Sequence, residues 1–220
     1  ENDHAVVLRN GRILIPANYH TKEENGVPDY NEHGLKVVFA SDDDGESWYE
    51  LSERQDIPFS HRSDTGLQET CIYEHIDGSL RALSRTDMAF QYECFSEDFG
   101  MTWTLPEPNL FFSSACSPML VKDCGENTVA IFNPVPEHIL RSDSEPWGRT
   151  PYVMAVSKDN GKTFTKENLY YIEDDLNNGY CYPAIYAGKD YMLLAYYHSN
   201  NTDICLNSTK IVKINYSEID

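Results

Sequence analysis

Positive charge is scarce in this chain. Its 220 residues hold 17 Lys or Arg against 36 Asp or Glu, a formal net charge of −19. Phosphate backbones and anionic head groups are docked on Lys/Arg patches, and a surface this negative repels both. Neither nucleic acid nor an anionic membrane surface is therefore expected as a partner. Long apolar runs are missing too. Stretches such as Tyr191–Tyr197 fall far short of the roughly 20 residues that a membrane-spanning helix needs, so no membrane insertion is expected. The N-terminus lacks a basic region followed by an apolar run and a small-residue cleavage site. The chain begins at Glu1 rather than Met, which suggests a processed chain or a fragment. Its location stays open between secreted, cell-surface and bacterial cytoplasm.

Closely spaced cysteines are also absent. Cys71, Cys94, Cys116, Cys124, Cys181 and Cys205 lie far apart, without the Cys-x-x-Cys pairs of zinc or redox sites. They read as small buried hydrophobes, and no metal or cofactor is expected. Asn200, Asn207 and Asn215 each open an Asn-x-Ser/Thr triplet, relevant only in a glycosylating cell. No segment shows a helical stripe of apolar residues over three turns. What the chain does have is 40% apolar and 12% aromatic residues, enough for a core in one domain or part of a larger one.

The apolar residues come in short runs rich in Val, Ile, Tyr and Phe: Ala5–Leu8, Ile13–Ile15, Val37–Ala40, Cys71–Ile76, Leu80–Leu83, Val129–Phe132, Tyr152–Val156, Ala184–Ala187, Met192–Tyr197 and Lys210–Ile214. These lengths and residue types predict strands. Gly-bearing turns fall at Asn10-Gly11, Asp77-Gly78 and Gly188-Lys189, and Asn-Gly and Asp-Gly supply the positive φ angles of tight hairpins. The expected architecture is all-β, with antiparallel strands that are neighbours in sequence.

One eight-residue pattern occurs three times: Ser41-Asp42-Asp43-Asp44-Gly45-Glu46-Ser47-Trp48, Ser96-Glu97-Asp98-Phe99-Gly100-Met101-Thr102-Trp103 and Ser157-Lys158-Asp159-Asn160-Gly161-Lys162-Thr163-Phe164. The copies recur roughly every 55 to 60 residues, a period of the kind that marks repeat architectures. Each follows an apolar run, so each reads as a hairpin tip. There the Asp accepts turn amides, Gly takes positive φ, the hydroxyls bond locally and the ring packs under the loop.

These segments resemble the Asp-box, or bacterial neuraminidase repeat, of the sialidase superfamily. The resemblance implies a β-propeller of the six-bladed sialidase type, with the box between the third and fourth strands of a blade. It implies structural roles for Asp43, Asp98 and Asp159. About 15 strands at four per blade make about four blades. The resemblance thus implies that residues 1–220 are part of one sialidase-like propeller domain, similar to its C-terminal two-thirds. A missing N-terminal segment or a partner chain would complete it.

A second set of residues resembles the sialidase site in order and context. Gln68-Glu69-Thr70 is followed across one hairpin by Ser84-Arg85-Thr86; Arg149 leads a strand that runs into the third box; and Tyr180-Cys181-Tyr182-Pro183-Ala184-Ile185 opens a later blade. The chemistry explains the set. A terminal sialic acid bears a carboxylate on its anomeric carbon, which would repel a carboxylate nucleophile, whereas a neutral Tyr hydroxyl avoids that charge. The hydroxyl must lose its proton as it attacks, so a Glu within reach serves as base. Arginines hold the substrate carboxylate through paired donors.

The resemblance therefore implies Tyr182 as nucleophile, Glu69 as its base, and Arg85 and Arg149 as two of a three-arginine clamp. It further offers Gln68, Gln91, Tyr92 and His20 as sugar-binding groups, alongside the segments Asn18-Tyr19-His20 and Ser114–Pro118. The implied activity is a retaining exo-glycosidase that releases sialic acid or a related acidic sugar from a sialoglycoconjugate or other oligosaccharide. Tyr180 stays a rival to Tyr182, because residues two apart on a regular strand point the same way. The family's general acid and first clamp arginine lie upstream of these residues, so the 220 residues alone are expected to turn over poorly. Two other readings remain open: a propeller hydrolysing a different sugar, and a non-catalytic binding propeller. Convergence of Glu69, Arg85, Arg149 and Tyr182 in one cleft separates the enzymatic readings from the last.

Overall fold

Fifteen strands form among the residues described by a computed structural model of the chain, which are 4–24, 27–135, 149–199 and 208–219. They make four antiparallel sheets in chain order. The first contains β1 (Val6–Val7), β2 (Ile13–Glu24), β3 (Val27–Ser41) and β4 (Tyr49–Glu50). The second contains β5 (Gln68–Glu74), β6 (Leu80–Arg85), β7 (Phe90–Ser96) and β8 (Glu107–Ser113). The third contains β9 (Leu120–Cys124), β10 (Asn127–Phe132), β11 (Tyr152–Ser157) and β12 (Leu169–Glu173). The fourth contains β13 (Gly179–Ala187), β14 (Tyr191–Ser199) and β15 (Ser208–Asn215). Within each sheet, sequence neighbours pair antiparallel, the up-and-down order of propeller blades.

The blades are held face to face by two apolar layers. Leu14, Val38 and Ala40 of the first sheet meet Ile72, Leu80 and Ala82 of the second. Tyr73 and Leu83 of the second, Val129 and Met154 of the third, and Tyr180 and Leu194 of the fourth share one larger core. A sheet covered on both faces has no solvent side, so its strands lose the apolar/polar alternation. Every residue of β10 and β11 is buried for this reason. A cavity of about 330 Å³ is bordered by 4–7, 71–74 and 120–123, at the first strands of three blades.

Gly188 does not take a positive φ; its hairpin is closed by the Gly188 amide donating to the Tyr191 carbonyl. Gly125, between β9 and β10, does take one, at 66°. Four of the five described cysteines are buried, as expected of small hydrophobes. Cys71, Cys94, Cys124 and Cys181 are buried, yet Lys36 Nζ donates to Cys94 Sγ at 3.0 Å, and Cys116 is only half-buried. Cys205, Asn200 and Asn207 lie outside the described residues; Asn215 donates to Glu218.

The three boxes fold alike, between the third and fourth strands of blades one to three. In the third, Ser157 Oγ donates to Asp159 Oδ1 at 2.6 Å and accepts from the Gly161 amide at 2.9 Å. The Thr163 amide and hydroxyl donate to the same Asp at 2.9 and 2.6 Å. Ser41/Asp43/Ser47 and Ser96/Asp98/Thr102 repeat these bonds. The residue before each Gly joins it at positive φ: Asp44, Phe99 and Asn160. Each of the later tips also docks on the preceding blade. Arg12 donates to the Phe99 carbonyl, while Tyr73 and Arg81 donate to the Asn160 and Gly161 carbonyls. The carboxylates are consumed in holding turns, which is the structural role expected of them.

Two predictions follow from the third box. A Cβ on Gly161, at φ 73°, would sit 2.7 Å from Tyr73 Cε1. Backbone strain and clash together make Gly161→Ala destabilising by about 1–3 kcal/mol, read from urea midpoints. Partial burial pushes the Asp159 carboxyl up, but the Ser157 and Thr163 bonds outweigh it and hold it at about 2, below the ordinary value of about 4. A depressed carboxyl stabilises the fold above its unfolded value and loses that contribution as pH falls through the folded one. The stability gap between the wild type and Asp159→Asn is therefore expected to be full at neutral pH and to shrink from about pH 4 to pH 2. A gap constant across that window would contradict the role.

Candidate active site

Glu69 stands on an irregular stretch of β5, where pairing with β6 shifts register between Gln68 and Cys71. Its φ is 44°, in the left-handed region that a side-chain-bearing residue rarely occupies. Asn18 of β2 braces this kink. Its Nδ2 donates to the Leu67 carbonyl at 2.7 Å, and its Oδ1 accepts from the Glu69 amide at 2.8 Å. The side-chain amide thus satisfies backbone groups on both sides of the residue that leaves the ladder.

Tyr182 is presented in the same way. The β13–β14 register shifts between Cys181 and Ala184, and Tyr182 has φ 58°. The bulge breaks the two-residue period that would point Tyr180 and Tyr182 alike. Tyr180 instead lies 2% exposed in the core against Tyr152 and Tyr196. Burial and the charges of Glu173 and Asp175 push its phenol up to about 12. Tyr182 turns the other way, toward the arginines.

Arg85, at the end of β6, joins the set. Its Nη1 donates to Glu69 Oε2 at 2.6 Å and to Tyr182 Oη at 3.3 Å. Its Nε and Nη2 both face Cys116 Sγ, at 3.4 and 3.2 Å. Burial works against the Arg85 charge, but Glu69 and Cys116 outweigh it and raise its pKa. Arg149 is 2% exposed. Its Nη1 donates to Cys181 Sγ at 3.0 Å and its Nη2 to the Cys116 carbonyl at 2.8 Å, while its Cζ lies 5.5 Å from the Tyr182 ring centre. Among the described residues no carboxylate pairs with Arg149. Two guanidiniums against one carboxylate leave the cluster locally positive in a strongly negative chain.

The Tyr182 phenol is raised above its ordinary value, first by burial and then by the Glu69 charge, with Arg149 and Arg85 pulling it back. Such a hydroxyl stays protonated at neutral pH and needs a base to become a nucleophile. Glu69, sharing the Arg85 guanidinium with it, is the carboxylate in place. Ala115 and Cys116 also hold positive φ, at 44° and 47°. Strained backbone at Glu69, Cys116 and Tyr182, three segments far apart in sequence, is the pattern of a functional site.

The remaining candidates divide. Gln68 and His20 border one groove with Glu69 and Asn18. Gln91 does not join the cluster: it is 1% exposed, and its Nε2 donates to the Ser117 carbonyl at 2.8 Å, behind the turn that carries Cys116. Tyr92 pairs with Ser84 across β6 and β7 and is half-buried, its phenol raised by burial. The sequence assigns Asn18 no individual role and marks Cys116 and Cys181 only as small buried hydrophobes. The only sequence signal for the first two was the resemblance of the segments that contain them.

The description "BNR repeat-like domain" belongs to a family model that matches residues 2–198. A search of curated proteins gave no match. Among solved structures, a protein of unknown function from Dyadobacter fermentans aligns with a TM-score of 0.65 at 17% identity, over 95% of this chain and 51% of that one. An intramolecular trans-sialidase from Ruminococcus gnavus, in complex with oseltamivir carboxylate, gives 0.67 at 15% identity, over 98% and 43%. A Trypanosoma rangeli sialidase in complex with sialic acid gives 0.62 at 15% identity, over 96% and 30%. The chain thus spans about half, or less, of the length of these structures, and it shares their fold.

Proposed function

This chain belongs to the BNR repeat-like domain family and has a sialidase-like propeller fold, and from that premise we propose that it carries the nucleophile half of a retaining sialidase site. The observation that carries the reading is the Arg85 guanidinium, bonded at once to Glu69 and Tyr182, with Arg149 beside the same ring. This convergence favours the enzymatic readings over a non-catalytic propeller.

In the proposed reaction the substrate carboxylate is held by Arg149, with Arg85 adding charge at the same end. Tyr182 Oη attacks the anomeric carbon while its proton passes to Glu69. A C–O bond to the tyrosine forms as the bond to the leaving group breaks, the departing oxygen taking a proton from water. Water then attacks the same carbon and gives its proton to solvent, while Glu69 returns its proton to the Tyr182 oxygen as the tyrosyl bond breaks with retention. The phenol approaches the anionic sugar without a charge of its own, and the arginines offset the carboxylate that a second acid would repel.

A sialosyl fluoride bearing a second fluorine on C3 tests this part of the machinery. Fluoride departs without a proton donor, and the ring fluorine slows release of the glycosyl-enzyme. Intact-mass measurement is expected to show one adduct on the chain, and peptide mapping to place it on Tyr182. No adduct, or one on another residue, would remove the nucleophile assignment.

A further inference from the structure

Away from the cluster, the first two blades meet through a buried amine and a buried thiol. Lys36 of β3 is 1% exposed and Cys94 of β7 is 2% exposed, and Lys36 Nζ donates to Cys94 Sγ at 3.0 Å. A buried ammonium is ordinarily paired with a carboxylate. Among the described residues no carboxylate pairs with Lys36; its Nζ meets the thiol and the face of Trp103, 4.0 Å from the ring centre. We propose that Lys36 and Cys94 form an oxidation site, at which hydrogen peroxide joins Nζ to Sγ in a sulfenamide bond. Two residues 58 apart in the chain would then tie one blade covalently to the next.

Cys94 Sγ attacks one peroxide oxygen, the O–O bond breaks, and the departing hydroxide takes the thiol proton as water, leaving a sulfenic acid. The Lys36 amine then attacks the sulfur. The S–O bond breaks, and the hydroxyl leaves as a second water with one amine proton. Sulfur loses two electrons and the peroxide gains both. The geometry favours closure on the amine over further oxidation, because 3.0 Å is a near-attack separation, about 3–3.5 Å. The amine is also held in place: Lys36 and Gln55 exchange backbone bonds at 2.9 and 3.0 Å. Burial lowers the Lys36 pKa against a smaller upward pull from Cys94, which favours the neutral amine that can attack. Burial raises the Cys94 thiol, and Lys36 pulls it back. Peroxide has a short way in. Gln55, whose Oε1 accepts from Cys94 Sγ at 3.5 Å, and Trp103 both line a surface groove of about 490 Å³, so the pair lies directly behind that wall.

Treating the full chain with hydrogen peroxide, blocking the remaining thiols with iodoacetamide and mapping the tryptic peptides tests the site. Trypsin is expected to stop cutting after Lys36. The segments holding Lys36 and Cys94 are expected to appear as one peptide, lighter than their sum by two hydrogens, about 2 Da. Dithiothreitol, which reduces the S–N bond back to thiol and amine, is expected to restore the cut and separate them. Lys36→Met keeps the aliphatic stem and removes the amine, so Cys94 should stop at the sulfenic acid and take dimedone. Cys94→Ser should leave the Lys36 bond open to trypsin. The wild-type peptide map decides the matter even where neither variant folds. Cys94 remaining a thiol or gaining only oxygen, Lys36 joined to another cysteine, or a link heavier by an inserted oxygen overturns the proposal.

Discussion

Tyr182→Phe is expected to lower the rate of labelling by the fluorinated sialosyl fluoride at least about 1000-fold, because the substitution deletes the attacking atom. The ring that remains keeps its place. It lies under Arg149 at 5.5 Å and edge-on to Tyr197 at 5.9 Å between ring centres, so binding of N-acetylneuraminate should change by less than about twofold. The informative control is Tyr180→Phe. That hydroxyl sits in the inter-blade core, and its loss should leave labelling intact. Full labelling of Tyr182→Phe, or loss of labelling in Tyr180→Phe, would reverse the assignment between the two. Glu69→Gln separates base from nucleophile: it should slow labelling, and the slowed rate should rise with pH as hydroxide replaces the missing base.

Arg149→Met is expected to weaken N-acetylneuraminate by about 10- to 100-fold, the loss of one forked, charge-assisted contact in a buried setting. Met approximates the volume of the aliphatic stem and fills the space between Tyr182 and Cys181. The Cys116 carbonyl loses its donor at the same time, so a modest fall in melting temperature should accompany the change. Arg149→Lys tests geometry against charge. An ammonium cannot reach Cys116 and Cys181 and still present a planar pair of donors to a carboxylate, so Lys should restore little. Titration calorimetry checks both variants. Unchanged affinity in a folded Arg149→Met protein would mean that the carboxylate is bound elsewhere.

The fold was readable from sequence because its signals are local. An Asp, a Gly and a hydroxyl within eight residues make the same hairpin tip wherever they occur, and three copies reported three blades. Asn10-Gly11 and Asp77-Gly78 likewise mark real turns, with φ of 92° and 87°. Strands such as β7 and β12, which mix Gln, Glu and Tyr with apolar residues, are set instead by pairing to neighbours already in place. The Gly188 hairpin closes through backbone bonds without a left-handed residue.

The candidate site was readable in part. Glu69, Arg85, Arg149 and Tyr182 were identified by order and resemblance, and the fold brings them together. Gln91 was not separable from them by sequence, since only packing turns it inward to Ser117. Asn18 and Cys116 escaped because their roles exist only against Glu69 and Arg85, 51 and 31 residues away in the chain.

Sequence by itself determined the blades, their order and the types of residue available for chemistry, all consequences of bonds made within a few residues. Tertiary structure decided which way Tyr180 and Tyr182 point. A strand's period of two predicts that both point alike, and only the bulge at Cys181 to Ala184, held against β14 and the arginines of two other blades, turns one into the core and the other toward Glu69.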